Sequence, residues 1–413
     1  MTDKYPRWQK NNIREITKAR RVLLLSGPRQ CGKTTLAREL VDDDTEYRTL
    51  DDVTLRKAAE NDPHGFVKHD KRTLIIDEVQ HVPDLLLAIK KVVDEDTRPG
   101  QYLLTGSANV QAIPSVRESL AGRISKLRLR PLSQGEKQNV GPDFLDHAFN
   151  GNINNPIHHS DKDALLELAC TGGYPEAMLL GQRARKRWHT DYIEAILEHD
   201  LKDITKIHRH DAMKDLIRIL AAWSSKFMNV SQIGTGLSVQ KQALHSYINA
   251  LEALFLVERV RAWTRTDYDR VGKQDKLFMT DSGLMASLLN WNIEQIRFDD
   301  DRSGKIIETF AHNELAALVD CTDGLYELMH YRDRQQREID FIIEREDGAL
   351  LGIEIKSGSN LGNRDFRHLK WFRDNLAGDR AFTGIILYSG EHMASFGENM
   401  LAVPFGAMWG EVS

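Results

Sequence analysis

A chain of 413 residues is too long for one ordinary hydrophobic core, which predicts several folding units. Hydrophobic residues make up 41% and charged residues 28%, without a low-complexity tract, which excludes global disorder. A formal net charge of −5 excludes a protein that coats nucleic acid by bulk electrostatics and confines any such contact to a local basic face.

The three cysteines, Cys31, Cys170 and Cys321, are odd in number and widely spaced, which fits neither a disulfide framework nor a zinc site and points to a reducing cytoplasm. The start, "MTDKYPRWQKNNIREITKARR", carries charge throughout and lacks the apolar centre of a signal peptide. No later apolar run approaches the roughly 18 residues of a membrane helix. The expectation is a cytoplasmic protein without membrane contact. No fixed-period repeat suggests a solenoid.

The first strong element is "RVLLLSGPRQCGKTTLARELV". The run Val22 to Leu25 reads as a buried strand and the stretch after Lys33 as a helix, so the G-x-x-x-x-G-K-T motif sits between strand and helix as a phosphate loop requires. Gly27, Pro28, Arg29, Gln30, Cys31, Gly32, Lys33, Thr34 and Thr35 form the expected nucleotide-binding stretch. The two glycines let main-chain amides turn toward phosphate oxygens, the helix start adds a favourable field, and Lys33 reaches the outer phosphates. Thr34 would place its hydroxyl on magnesium, while Cys31 reads as a small filler residue.

Next, "RTLIIDEVQ" predicts a buried strand from Thr73 to Ile76 that ends at Asp77 and Glu78. Asp77 would hold magnesium through water and Glu78 would polarise the attacking water, a pairing suited to hydrolysis rather than to transfer onto an acceptor, as in a small-molecule kinase. A third strand, "GQYLLTGSAN", ends in Ser107 and Asn109, whose polar side chains could orient water beside the γ-phosphate.

The order "GPRQCGKTT", "LIIDEVQ", "LLTGSAN" and "LAGRISKLRLRPLSQGE" resembles the AAA-type ATPases of the AAA_14 family that carry a C-terminal DUF4143 region, and the likeness extends over nearly the whole chain. The resemblance implies ATP and magnesium as cofactors and a ring or side-by-side homo-oligomer. It also implies that Arg123 matches the family arginine, a candidate for contacting nucleotide within one subunit or across a subunit boundary. Arg117, Arg128 and Arg130 lie close by, and the residues alone do not choose among them.

Beyond Gly135 the periodicity fades into an Asn-, Gly- and His-rich stretch, which puts a boundary near 150; His158 and His159 read as part of a polar loop. The "GGYP" turn at 172–175 and the basic helix start at 183–187 follow. Between about 210 and 260, three short helical segments precede two alternating stretches, "FLVERVRAW" and "KLFMTDSG", the layout of a winged helix. Its candidate recognition helix exposes Gln240, Lys241, His245 and Ser246 but carries a single lysine, so DNA and protein both stay open as partners.

From about 303, "SGKIIETFAHNELAALV" reads as an amphipathic helix, and "REIDFIIERE" with "GALLGIEIKSG" as a hairpin. Alternation places Ile339, Phe341, Ile353 and Ile355 toward a core and leaves Asp340, Glu354 and Lys356 on the other face. With Glu308, these residues match the pattern that makes a DUF4143 region similar to PD-(D/E)xK nucleases, where hard oxygen ligands take magnesium. A salt-bridged surface hairpin is the rival reading. The basic stretches "YRDRQQR" and "NRDFRHLKWFRDN" could face phosphates or simply solvent.

The expected fold is thus α/β: a P-loop, AAA+-like parallel-sheet ATPase domain over 1–150, a helical section over 151–208, a winged-helix-like domain over 209–285 and a nuclease-like α/β domain over 286–413. Its expected activity is magnesium-dependent ATP hydrolysis that rearranges the distal domains, on nucleic acid such as DNA. The alternative is a nucleotide-gated binding switch that cleaves nothing.

Overall fold

A computed structural model describes residues 4–107, 122–153, 161–201, 210–237, 241–266, 273–322 and 324–409. Five strands form a wholly parallel sheet: β1 (Val22–Ser26), β2 (Thr45–Thr49), β3 (Thr73–Asp77), β4 (Tyr102–Gly106) and β5 (Ile124–Arg128), in the order β2-β3-β4-β1-β5. Both faces are covered, which is why β1, β3 and β4 read as unbroken apolar runs. Leu23, Leu25, Ile75 and Leu103 pack on helices α1 (Gln9–Ala19) and α2 (Lys33–Glu39), whereas Val22, Leu24, Leu74, Ile76 and Leu104 pack under the helix Leu85–Glu95. This is the P-loop NTPase domain expected from the motifs. Because β4 lies between β1 and β3, the ends of all three strands emerge at one edge.

After β5 the chain crosses to a second unit through a short helix, Gln134–Gln138, closed by a capping box between Ser133 and Glu136. Here the two units meet. Gln134 donates its amide to both carboxylate oxygens of Glu314, at 3.1 and 3.0 Å, and Glu314 belongs to the long helix Asp300–Asp320. From α1, Gln9 reaches the carbonyl of Asp320 at 2.7 Å.

The second unit is built on a nine-stranded sheet. Its strands are β6 (Lys226–Phe227), β7 (Val257–Ala262), β8 (Lys276–Met279), β9 (Tyr326–Arg332), β10 (Glu338–Arg345), β11 (Leu350–Lys356), β12 (Phe382–Tyr388), β13 (Ala394–Ser395) and β14 (Met400–Pro404). The order is β13-β14-β12-β11-β10-β9-β7-β8-β6, so the sheet runs across residue 285 without a break. β7 joins β9 in parallel through Arg261 beside Met329 and Ala262 beside His330. The long helix covers one face through Ile306, Phe310 and Leu315, and the helix Arg367–Phe372 covers the other through Leu369 and Phe372. A third core gathers the helices Gln182–Ala195, His210–Trp223 and Lys241–Ala253.

The alternation expected along β10 breaks at a register shift between Ile339 and Ile342. Ile339 consequently joins the core under Arg367–Phe372, whereas Phe341 joins the core under the long helix. A bulge inserts a residue and reverses the phase of the strand, and no polar marker announces it.

Glu314 also makes stability depend on pH. Burial pushes its carboxyl up to about 8, against the pull of Lys137 and the Gln134 amide. A carboxyl raised on folding contributes stability that is complete below its unfolded value near 4.5 and is lost as pH rises through about 8. Glu314→Gln keeps an acceptor for the Gln134 amide and cannot ionise. Urea unfolding is therefore expected to show the variant gaining on the parent between about pH 5 and about pH 9. A constant difference across that range would remove Glu314 as the cause.

Candidate functional site

The loop after β1 turns through residues that accept left-handed backbone: Gln30 has φ 59° and Gly32 φ 103°. At Gly27 the constraint is proximity, since a Cβ there would stand 2.1 Å from the carbonyl oxygen of Leu129, just beyond β5. Leu129 also donates its amide to the carbonyl of Ser26 at 2.8 Å. Only glycine lets that neighbouring chain press against the base of the loop. Arg7 braces it from outside, donating to the carbonyls of Cys31 and Arg130 at 2.6 Å each and to Glu136 at 3.0 Å. Tyr192 donates to the carbonyl of Arg29 at 3.3 Å, tying the helix Gln182–Ala195 to the loop.

Lys33 is buried, with its ammonium donating to the carbonyls of Gly27 at 3.0 Å and Pro28 at 2.7 Å, so the cation is held in the loop itself. Thr34 places its hydroxyl 3.0 and 3.2 Å from the two oxygens of Asp77, at the end of β3. Asp77 is fully buried and also accepts from Tyr47 at 2.8 Å and from Thr105. Burying a carboxylate is tolerable only with such donors around it.

Glu78 has φ 58°, a strained conformation for a residue with a side chain, of the kind stored at functional sites. Its amide donates to the Thr105 hydroxyl at 3.0 Å, and its carboxylate accepts from Gln80, which also donates to Ser107 at 3.0 Å. Sequence reasoning placed Lys33, Thr34, Asp77, Glu78 and Ser107, and the structure gathers them at one sheet edge. Asn109 lies outside the described residues. Reasoning from sequence missed Thr105, Tyr47, Gln80 and Arg7. Thr105 carried a signal, two places before Ser107 on the same strand; Arg7 carried none.

Arg123 stands elsewhere. It precedes Ile124, which pairs with Val22 at the start of β1, so it sits at the sheet edge opposite the loop and bonds Asp94. Arg128 and Arg130 face Glu258 of β7, at 3.0 and 2.7 Å, and Arg130 also pairs with Asp320 at 2.6 Å. Burial opposes ionisation of Glu258, but the two guanidiniums outweigh it and hold its carboxyl well below the usual range.

In the second unit, Glu308 and Asp340 do come together, around a cation that sequence reasoning did not place. The ammonium of Lys276, on β8, lies 2.6 Å from Glu308, 3.0 Å from Glu338 and 3.2 Å from Asp340, and its side chain is buried. Asp340 also accepts the amide of Ile355 at 2.9 Å. Burial pushes Glu308 up to about 8 against the pull of Lys276. Burial and the charge of Asp340 raise Glu354, and Lys356 opposes them. Among the described residues, no group of three or more His, Cys, Asp or Glu side chains is arranged to hold a metal ion. Likewise, no described helix is long and apolar enough to cross a membrane.

The AAA domain family AAA_14 matches residues 19–137, the domain of unknown function DUF8612 matches 162–295, and the domain of unknown function DUF4143 matches 303–408. Uncharacterised proteins of Mycobacterium tuberculosis and Mycobacterium bovis are each 27% identical over 387 residues, covering 93% of this chain and 80% of theirs. Among solved structures, AMPPCP-bound DnaA from Aquifex aeolicus is 12% identical with a TM-score of 0.26, covering 59% of this chain and 85% of its own. The RuvB Holliday junction branch migration motor of Thermotoga maritima is 17% identical with a TM-score of 0.26, covering 61% and 88%. With a phosphate loop, an acidic strand end and a polar strand end on one parallel sheet, the chain carries an AAA_14 domain over 19–137 and a DUF4143 region over 303–408.

Proposed function

We propose that the chain binds Mg·ATP at the loop Gly27–Thr35, hydrolyses it, and uses the turnover to rearrange its second unit on nucleic acid. One observation carries the first part: the Thr34 hydroxyl and the Asp77 carboxylate meet at 3.0 Å beside a buried Lys33. These are the hard oxygen donors that magnesium takes, so the residues fit the ion. When bound, magnesium neutralises charge on the outer phosphate oxygens. Lys33 would exchange its carbonyl partners for phosphate, and Glu78 would orient and deprotonate the attacking water. Ser107, just after β4, would position that water, and the sequence expectation gives Asn109 the same part.

Arg123 is too far round the sheet to serve its own loop. A contact with nucleotide would come from a neighbouring copy, which is the arrangement of a side-by-side oligomer. The order helix, strand, helix, helix and two antiparallel strands over 210–279 supports a winged-helix reading of the segment. A domain division at 150, 208 and 285 follows the same reading, although the two last segments share one sheet.

Cleavage by Glu308, Asp340, Glu354 and Lys356 is the weaker branch. Lys276 already answers the carboxylates that a magnesium ion would need, which favours a switch that binds without cutting. Titration calorimetry with Mg·ATP tests the main reading: the parent is expected to bind, and Lys33→Ala to lose about tenfold or more in affinity. A parent protein that evolves no binding heat and releases no phosphate would end it.

A further inference from the structure

On the second unit, a cleft of about 760 Å³ opens between the end of β7, the start of β8 and the turn after β9. Among the described residues, four cations line it: Arg265, Lys273, Arg332 and Arg334. The acidic residue among the described lining, Asp333, is already matched by Arg337, which bonds it through both its amide and its guanidinium at 2.9 Å. His330, in the floor, adds no charge near neutrality, since burial pushes it down to about 3. A concentration of positive charge in a chain of net charge −5 runs against the average of the molecule.

Arg265, Lys273 and Arg334 are exposed, and none of them pairs with a carboxylate among the described residues. Arg332 behaves differently. Its guanidinium stands 4.2 Å over the ring of Phe227, a half-buried aromatic in the cleft, and the Lys276 ammonium approaches the same ring at 5.6 Å. Cations set out for phosphates beside a guanidinium braced on an aromatic ring are the two elements that hold unpaired nucleotides, one for the backbone and one for a base. A duplex presents a stiff, convex rod whose bases are stacked away. A concave cleft of this volume suits splayed nucleotides better.

We propose that this cleft binds single-stranded nucleic acid, with phosphates on Arg265, Lys273 and Arg334 and a base against the Arg332–Phe227 pair. The proposal rests on the nucleic-acid part of the function above and names the surface and the strand state. Its position has a consequence. Phe227 and Lys276 join the cleft directly to the carboxylate cluster, so a bound strand would lie against the segment that Lys276 locks to β10 and the long helix.

Fluorescence anisotropy with a labelled oligothymidylate of about 20 nucleotides, on the full chain, tests this. The parent is expected to bind the single strand more tightly than a duplex of equal length. The triple variant R265E/K273E/R334E is expected to lose about tenfold or more, with the slope of log K against log salt falling by about 2, roughly 0.7 for each phosphate contact. Phe227→Leu is expected to weaken binding while leaving that slope unchanged. Far-ultraviolet circular dichroism equal to the parent's serves as the check on folding.

Unchanged binding by the triple variant, absence of single-strand binding in the parent, or equal displacement by polyglutamate would each overturn the proposal. Duplex binding that survives the triple variant would overturn the cleft and leave the wider nucleic-acid reading standing. Loss of Mg·ATP binding in the parent concerns the nucleotide site alone.

Discussion

Glu78→Gln is expected to keep ATP bound while phosphate release slows by about two to four orders of magnitude, the range that a positioned general base contributes. The amide has the size of the carboxylate and can still meet Gln80, so the strained backbone at Glu78 and its bond to Thr105 should persist. What is lost is the charge that draws a proton from water. Single-turnover phosphate release beside equilibrium ATP binding separates the two effects. Equal release rates in variant and parent would remove Glu78 from the chemistry, and loss of binding would give it a structural part instead.

The second large effect is expected at Arg130. Its guanidinium meets Glu258 at 2.7 and 2.9 Å and Asp320 at 2.6 Å, so it joins the strand behind the phosphate loop to both β7 and the long helix. Arg130→Met would leave two carboxylates short of a partner in a largely dry interface. Removing one member of such a pair costs about 3–5 kcal/mol. The lower end applies here, because Glu258 and Asp320 keep 20% and 25% side-chain exposure and Arg128 still faces Glu258. Urea unfolding measures it. A loss below about 0.5 kcal/mol would make the network incidental. Adding Glu258→Gln to Arg130→Met should cost less than the two changes summed, since the second removes a charge that the first has orphaned.

The same network bears on how hydrolysis would reach the second unit. Gly27 packs on the carbonyl of Leu129, Arg7 grips Cys31 and Arg130 together, and Arg130 holds Glu258. A shift of the loop around phosphate would therefore load a continuous set of polar contacts rather than a flexible linker.

Along the chain, whatever depends on neighbours in sequence was legible. The loop 27–34, the buried runs of β1, β3 and β4, and the acidic end at Asp77 and Glu78 are local patterns. Phosphate chemistry demands glycines, lysine and hydroxyl at fixed spacing, and a covered parallel sheet demands apolar runs. Tertiary structure alone decided that Lys276 stands among Glu308, Glu338 and Asp340, that a bulge sends Ile339 and Phe341 to different cores, and that Arg7 clamps the loop. Those contacts join residues tens to hundreds of positions apart. Charge and burial set them only once the strands have found their order, and no periodicity records which distant partner a side chain will meet.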